Sequence, residues 1–172
     1  MDIKVPFYHI VNMLLTGLVL IGALTALFPE MSLSILNAIA ANSHAIPETI
    51  VVVFLFAAAY EAGLIVNRLG SVVIEPVLRR LKLIKFNDDY VLFNNKKKEH
   101  PILGTLSREF ALSRTGFTLF LILTLPALLS QFKLLSVAFC AIALLYFFSC
   151  KKHAEKIVTL MSESQVPISN KK

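Results

Sequence analysis

Thr49 to Ile84 reads TIVVVFLFAAAYEAGLIVNRLGSVVIEPVLRRLKLI, and this stretch decides the fold. Thr49 to Val66 carries a single charge, Glu61, and as an α-helix it would rise about 27 Å, close to the ~30 Å of a hydrocarbon core. Asn67 and Arg68 mark its exit. Beyond Gly70, apolar Val73, Val77, Leu81 and Ile84 recur at helical spacing, with Glu75, Arg79 and Lys82 on other faces. The pattern predicts one rod, a membrane span continued as a basic amphipathic helix, with Pro76 kinking it rather than ending it. Glu61, Arg68 and Glu75 are spaced about two turns apart, so an uninterrupted α-helix places all three on one polar seam.

The rest of the chain extends the membrane reading. Of 172 residues, 56% are apolar and only 16% charged, against about 45–50% and ~25% in soluble domains. Mean hydropathy is +0.72, so lipid must replace the missing polar surface. Val5 to Phe28 has no charge and is predicted to be a first span, bounded by Pro29-Glu30. It is longer than a signal-peptide core of about 7–15 residues, and Ala38-Ile39-Ala40 lies too far downstream for its cleavage site, so it is read as a retained span. Met31 to Ala41 is apolar but too short to cross, which predicts an interfacial or re-entrant helix. Asn42 to His44 and Pro47-Glu48 form a turn cluster. Thr115 to Phe132, containing Pro126, is a third span. Gln131 to Lys133 is a tight turn, and Leu134 to Cys150 is a fourth span ended by Lys151-Lys152.

Lys and Arg set the orientation. Residues 29–48 have none and the third turn has Lys133 alone; the other sixteen lie before the first span, in residues 67–114, or after Cys150. The expectation is an all-α membrane protein with both termini cytoplasmic, in the inner (cytoplasmic) membrane. Its parts are a first transmembrane pair (1–66), a basic cytosolic stalk region (67–114), a second pair (115–150) and a basic tail (151–172), the end of which has a disordered composition. Within the stalk region, Tyr90 to Phe93 reads as a short extended piece and Lys96 to Glu99 as an exposed loop. His100-Pro101 opens a helix that carries Leu106, Phe110 and Phe117 on one stripe into the third span. Two helices thus leave the membrane as stalks and meet outside it.

Candidate functional residues follow from cost. A carboxylate inside a span costs about 2.5–3.5 kcal/mol to insert, and it faces a pore, a partner or a bundle interior. Glu61, Asn67, Arg68 and Glu75 are therefore candidate pore or gate residues, the ordinary alternative being a snorkelling acid paired with a base. Ala58/Ala62 and Ala59/Gly63 are small residues one turn apart, which let helices approach closely in lipid, within one chain or between chains. Arg68, Arg114, Lys151 and Lys152 need no explanation beyond orientation. Arg79, Arg80, Lys82, Lys85, Lys96, Lys97, Lys98 and Arg108 form a candidate surface for an anion, either lipid headgroups or a nucleic acid or nucleotide. Phe86, Tyr90, Phe93 and Phe110 lie among them as a stacking platform requires, or as core. Cys150 beside two lysines fits palmitoylation, or a small residue at a span's end. No phosphate loop, catalytic triad, carboxylate pair or metal-ligand spacing is present, so neither enzyme chemistry nor a cofactor is expected.

Glu61 to Leu78 (EAGLIVNRLGSVVIEPVL) and Leu106 to Thr115 (LSREFALSRT) resemble small multi-span membrane effectors of bacterial anti-phage defence systems, including a channel subunit gated by a DNA oligomer. The likeness covers about a sixth of the chain and assigns no residue a role. It implies a membrane effector controlled by a nucleic acid or nucleotide signal. Small multidrug transporters also have four spans and a membrane Glu, but theirs is in the first span and their loops are short. The expected function is an oligomeric channel or pore-forming effector gated by an anionic ligand. The alternatives are an ion- or proton-coupled transporter using Glu61 and a membrane anchor recruiting a soluble regulatory protein.

Overall fold

The computed structural model describes residues 7–42, 47–85 and 89–163. Among these the regular structure is helical throughout: α1 (Phe7–Leu27), α2 (Pro29–Asn42), α3 (Glu48–Leu69), α4 (Glu75–Arg80), α5 (Tyr90–Glu99), α6 (Ile102–Leu129) and α7 (Lys133–Glu163), with a π-helical turn over Gly70–Ile74 joining α3 to α4. Four stretches are long and apolar enough to cross a membrane: Phe7–Leu27, Thr49–Arg80, Ile102–Leu129 and Lys133–Ser162. The protein is a multi-pass membrane protein by that criterion. Large apolar side chains such as Phe54 and Phe56 on α3 and Leu145 and Phe148 on α7 cover its outside, where lipid rather than water satisfies them.

Two helix pairs build the bundle. In the first, α1 lies against α3 at backbone distance: a Cβ added to Gly17 would fall 1.6 Å from the carbonyl oxygen of Ala59, and one added to Gly63 would fall 1.9 Å from that of Met13. The Ala59/Gly63 pair is thus a close interface within the chain, meeting Met13 and Gly17 four residues apart on α1. Ala58 faces outward and takes no part. In the second pair α6 runs along α7, with Gly116 accommodating the Tyr146 ring. The α6 helix joins the pairs through a core of Val66, Leu119, Leu123, Ala127 and Phe139, closed by Leu27.

A second core lies at the other end, where α4 and the beginning of α6 meet the end of α7. Leu78, Ile84, Leu103, Leu106 and Phe110 pack there with Cys150, Ala154, Ile157 and Met161. The helices on either side of residues 81–101 do pack on each other here, and the helix that holds the fourth apolar run continues past Lys151-Lys152. It continues to Glu163, because Cys150, Ala154, Ile157 and Met161 form an apolar stripe at spacings of four, three and four that docks on α4 and the start of α6. Cys150 is wholly buried in that contact, so the palmitoylation reading fails: an acyl chain has no route to its sulfur.

Other local expectations change for identifiable reasons. Residues 90–93 are helical, not extended, and Lys96 to Glu99 continue that helix rather than forming a loop. The Asp89 carboxylate caps it by accepting from the Leu92 N–H at 2.8 Å, while Leu92 and Phe93 pack on this second core. The rod ends at Arg80, before Ile84, in a Schellman closure. The Leu83 N–H donates to the Leu78 carbonyl at 3.0 Å and the Lys82 N–H to that of Arg79 at 2.9 Å, with Lys82 left-handed at φ 54°. Phe86, the last residues of the tail from 164 on, and most of the 42–48 turn cluster lie outside the described residues. Met31 to Ala41 falls within α2, a helix of 14 residues whose described side chains are exposed apart from half-buried Ser32.

Candidate functional site

The π turn determines which polar residues meet. A π turn takes one more residue than an α turn, which delays everything downstream by about 100° of helical rotation. It sits where the Pro76 ring would otherwise strike the carbonyl four residues back, and the Glu75 N–H closes it by donating to the Gly70 carbonyl. In an uninterrupted helix Glu75 would lie above Glu61 and Arg68. With the delay it turns inward, onto the face that already carries Asn67, Gly70 and buried Val66. The expected three-residue seam is therefore split. Glu61 and Arg68 remain together along an exposed furrow of α3 and the π turn, with Ile65 and Val72. Glu75 joins a buried network.

That network ties the rod to α6. Glu75 accepts from Arg79, one turn on, through one carboxylate oxygen and from Arg114 of α6 through the other. Arg114 also donates to the Asn67 side-chain carbonyl at 3.3 Å, and the Thr115 hydroxyl lies 2.9 Å from the same oxygen. The Arg114 guanidinium stands 5.9 Å above the centre of the Phe110 ring. Side chains of Glu75 and Arg114 are each 12% exposed and that of Arg79 is 32% exposed, so two positive charges and one negative are held in a largely dry site. Gly70 lets α6 in: a Cβ there would come within 2.9 Å of the Thr118 hydroxyl. Arg114 is the residue that sequence reasoning assigned to orientation alone. Its distance of 39 residues from Glu75 left no local signal.

The candidate anion-binding residues divide in the same way. Arg79 is committed to Glu75, and Lys96 to Glu99, whose carboxyl the neighbouring ammonium holds below the usual carboxylate range. Arg108 has only a 3.3 Å contact with the Thr105 hydroxyl. Arg80, Lys82, Lys85, Lys97 and Lys98 are exposed and make no ion pair among the described residues. Of the proposed stacking residues, Phe110 is core and Phe93 half-buried, while Tyr90 is exposed. Tyr90, Phe93 and Phe110 border a cavity of about 360 Å³ among α5, α6 and α7, whose mostly apolar lining also includes Arg79 and Asp89. Its lining carries one charge of each sign.

Comparison with known protein families, characterised proteins and solved structures finds no match to this chain.

Proposed function

We propose that the protein is an oligomeric membrane channel whose subunits meet or line a pore through the Glu61 face of α3, and that an anion bound at the basic end controls it. The observation that carries this reading is the position of Glu61. It is exposed on the outer surface of the bundle and has no hydrogen bond or ion pair among the described residues. It also lies about 10 Å along the helix from Arg68, inside the apolar stretch. A carboxylate facing acyl chains at that depth is unfavourable, whereas one facing a pore or a neighbouring copy is solvated or paired. The distribution of Lys and Arg supports an orientation with both termini and residues 67–114 in the cytoplasm. In that orientation Arg80, Lys82, Lys85, Lys97 and Lys98 ring the cytosolic mouth. The Glu75–Arg114 network, fixing the rod to α6, is the mechanical link from ring to pore.

Glu61→Gln in proteoliposomes should change ion flux or selectivity. Arg80, Lys82 and Lys85 replaced together by Glu should abolish control by added oligonucleotide without affecting insertion. Flux that depends on pH through Glu61 but ignores the basic residues would favour the transporter. Survival of all activity in Glu61→Ala would favour a non-conducting anchor. The anti-phage setting rests on the resemblance of residues 61–78 and 106–115, and phage challenge of cells carrying Glu61→Gln tests it.

A further inference from the structure

A second cavity, of about 320 Å³, opens between the first turns of α1, the end of α3 and the early part of α6. Tyr8, His9 and Asn12 line it from α1, Asn67 from α3, and Arg108 and Arg114 from α6. The charged residues in this lining are arginines, and no carboxylate is among them. Arg108 is exposed and its charge has no ion pair among the described residues. Arg114 spends two of its nitrogens on Glu75 and Asn67, which leaves its buried Nε–H without a hydrogen-bond partner. A lining that holds two guanidinium groups and no carboxylate favours a ligand rich in acceptor oxygens.

The level of the cavity identifies the ligand. At 1.5 Å per residue, Tyr8 and His9 stand about 27–29 Å from the Leu27 end of α1, and Arg108 stands about 32 Å from the Leu129 end of α6. Those distances match the ~30 Å thickness of a hydrocarbon core, so the cavity lies where headgroups meet acyl chains. Met13, Ala111 and Leu112 add apolar surface to its lining, and α1 presents exposed Phe7 and Ile10 nearby in sequence. The volume is at the small end of ligand pockets, about 300–1,000 Å³, which suits one headgroup and excludes a nucleic acid oligomer.

The geometry points to a binding site for the phosphate of an anionic phospholipid, with Arg108 and His9 as its donors and the acyl chains along α1. This narrows the anion-binding reading of Arg108 to a lipid phosphate, and it leaves Arg80, Lys82 and Lys85 as the residues facing a soluble anion. The site does not depend on conduction, because its lining is separate from the Glu61 face.

The test is lipid retention by the purified full-length protein, exchanged into micelles with equal parts phosphatidylcholine and phosphatidylglycerol and analysed by mass spectrometry. Phosphatidylglycerol should be retained in preference. Arg108→Gln should lower that preference about tenfold, the scale of one lost charge-assisted hydrogen bond, and His9→Gln should lower it in the same direction. Lys152→Gln removes an exposed charge that does not line the cavity and should leave the preference unchanged. An equal fall for Arg108→Gln and Lys152→Gln would reduce the effect to diffuse surface charge and overturn the site. Displacement of the lipid by inorganic phosphate would overturn the lipid assignment in favour of a soluble phosphate. Either failure leaves the Glu61→Gln flux test and the oligonucleotide test standing.

Discussion

Replacing Glu75 by Gln should destabilise the protein more than any other single change of charge in the rod. The carboxylate is 12% exposed and accepts from two arginines, of which Arg114 is equally enclosed and Arg79 is 32% exposed. Removing one partner of a buried pair costs about 3–5 kcal/mol, because the other charge is left dry and uncompensated. Arg79, closer to solvent, adds only a few tenths of a kcal/mol. An amide keeps one acceptor for Arg114, so the expected loss is about 3 kcal/mol. For a chain of this size that corresponds to about 6–12 °C in the unfolding midpoint. Thermal unfolding in detergent, followed by circular dichroism, measures it. The exposed Glu61→Gln should move the midpoint by less than ~2 °C in the same assay. The double change Glu75→Leu with Arg114→Leu should recover most of the loss, since an apolar pair needs no desolvation. A Glu75→Gln midpoint within ~2 °C of the parent would refute the reasoning, as it would show that Glu75 is not the counter-charge of a buried arginine.

Three further outcomes follow from the geometry. Gly17→Ala or Gly63→Ala places a methyl group inside the van der Waals radius of a backbone carbonyl and must force α1 from α3, costing at least ~1–3 kcal/mol by the same unfolding assay. Gly22, with open space around its Cβ position, accepts Ala without loss. Deleting Val73 together with Pro76→Ala removes the extra residue of the π turn and the ring that requires it. Glu75 and Leu78 then keep their inward face and the protein stays folded, whereas deleting Ile65 turns the Asn67 end of the rod by about 100° and abolishes folding, as size-exclusion profiles will show. Lys82→Gly relieves a left-handed lysine and raises stability by about 1 kcal/mol, while removing one charge from the candidate anion surface.

The four apolar runs are legible because 17 to 24 consecutive residues with at most one charge admit few other readings, and the Ala59/Gly63 contact because small residues one turn apart have a physical use in lipid. Glu75 falls on a different face from the expected one because face assignment assumes a constant 3.6 residues per turn, and Pro76, which marks a kink, does not by itself say that an extra residue precedes it. Tyr90 to Phe93 carry strand formers, yet the cap at Asp89 and the packing of Leu92 and Phe93 outweigh propensity. The end of α7 was missed because its stripe of Cys150, Ala154, Ile157 and Met161 is interleaved with Lys151, Lys152 and Lys156, which draw the eye to the charges. Arg114 could be found only in three dimensions, since its partners lie on another helix.

Single-particle imaging of the protein in lipid nanodiscs tests the central claim most directly. The account predicts a closed ring of several copies, with Glu61 of every copy facing the symmetry axis or a neighbouring subunit. A monomer whose Glu61 faces lipid, at the concentrations where liposome activity is seen, would contradict it.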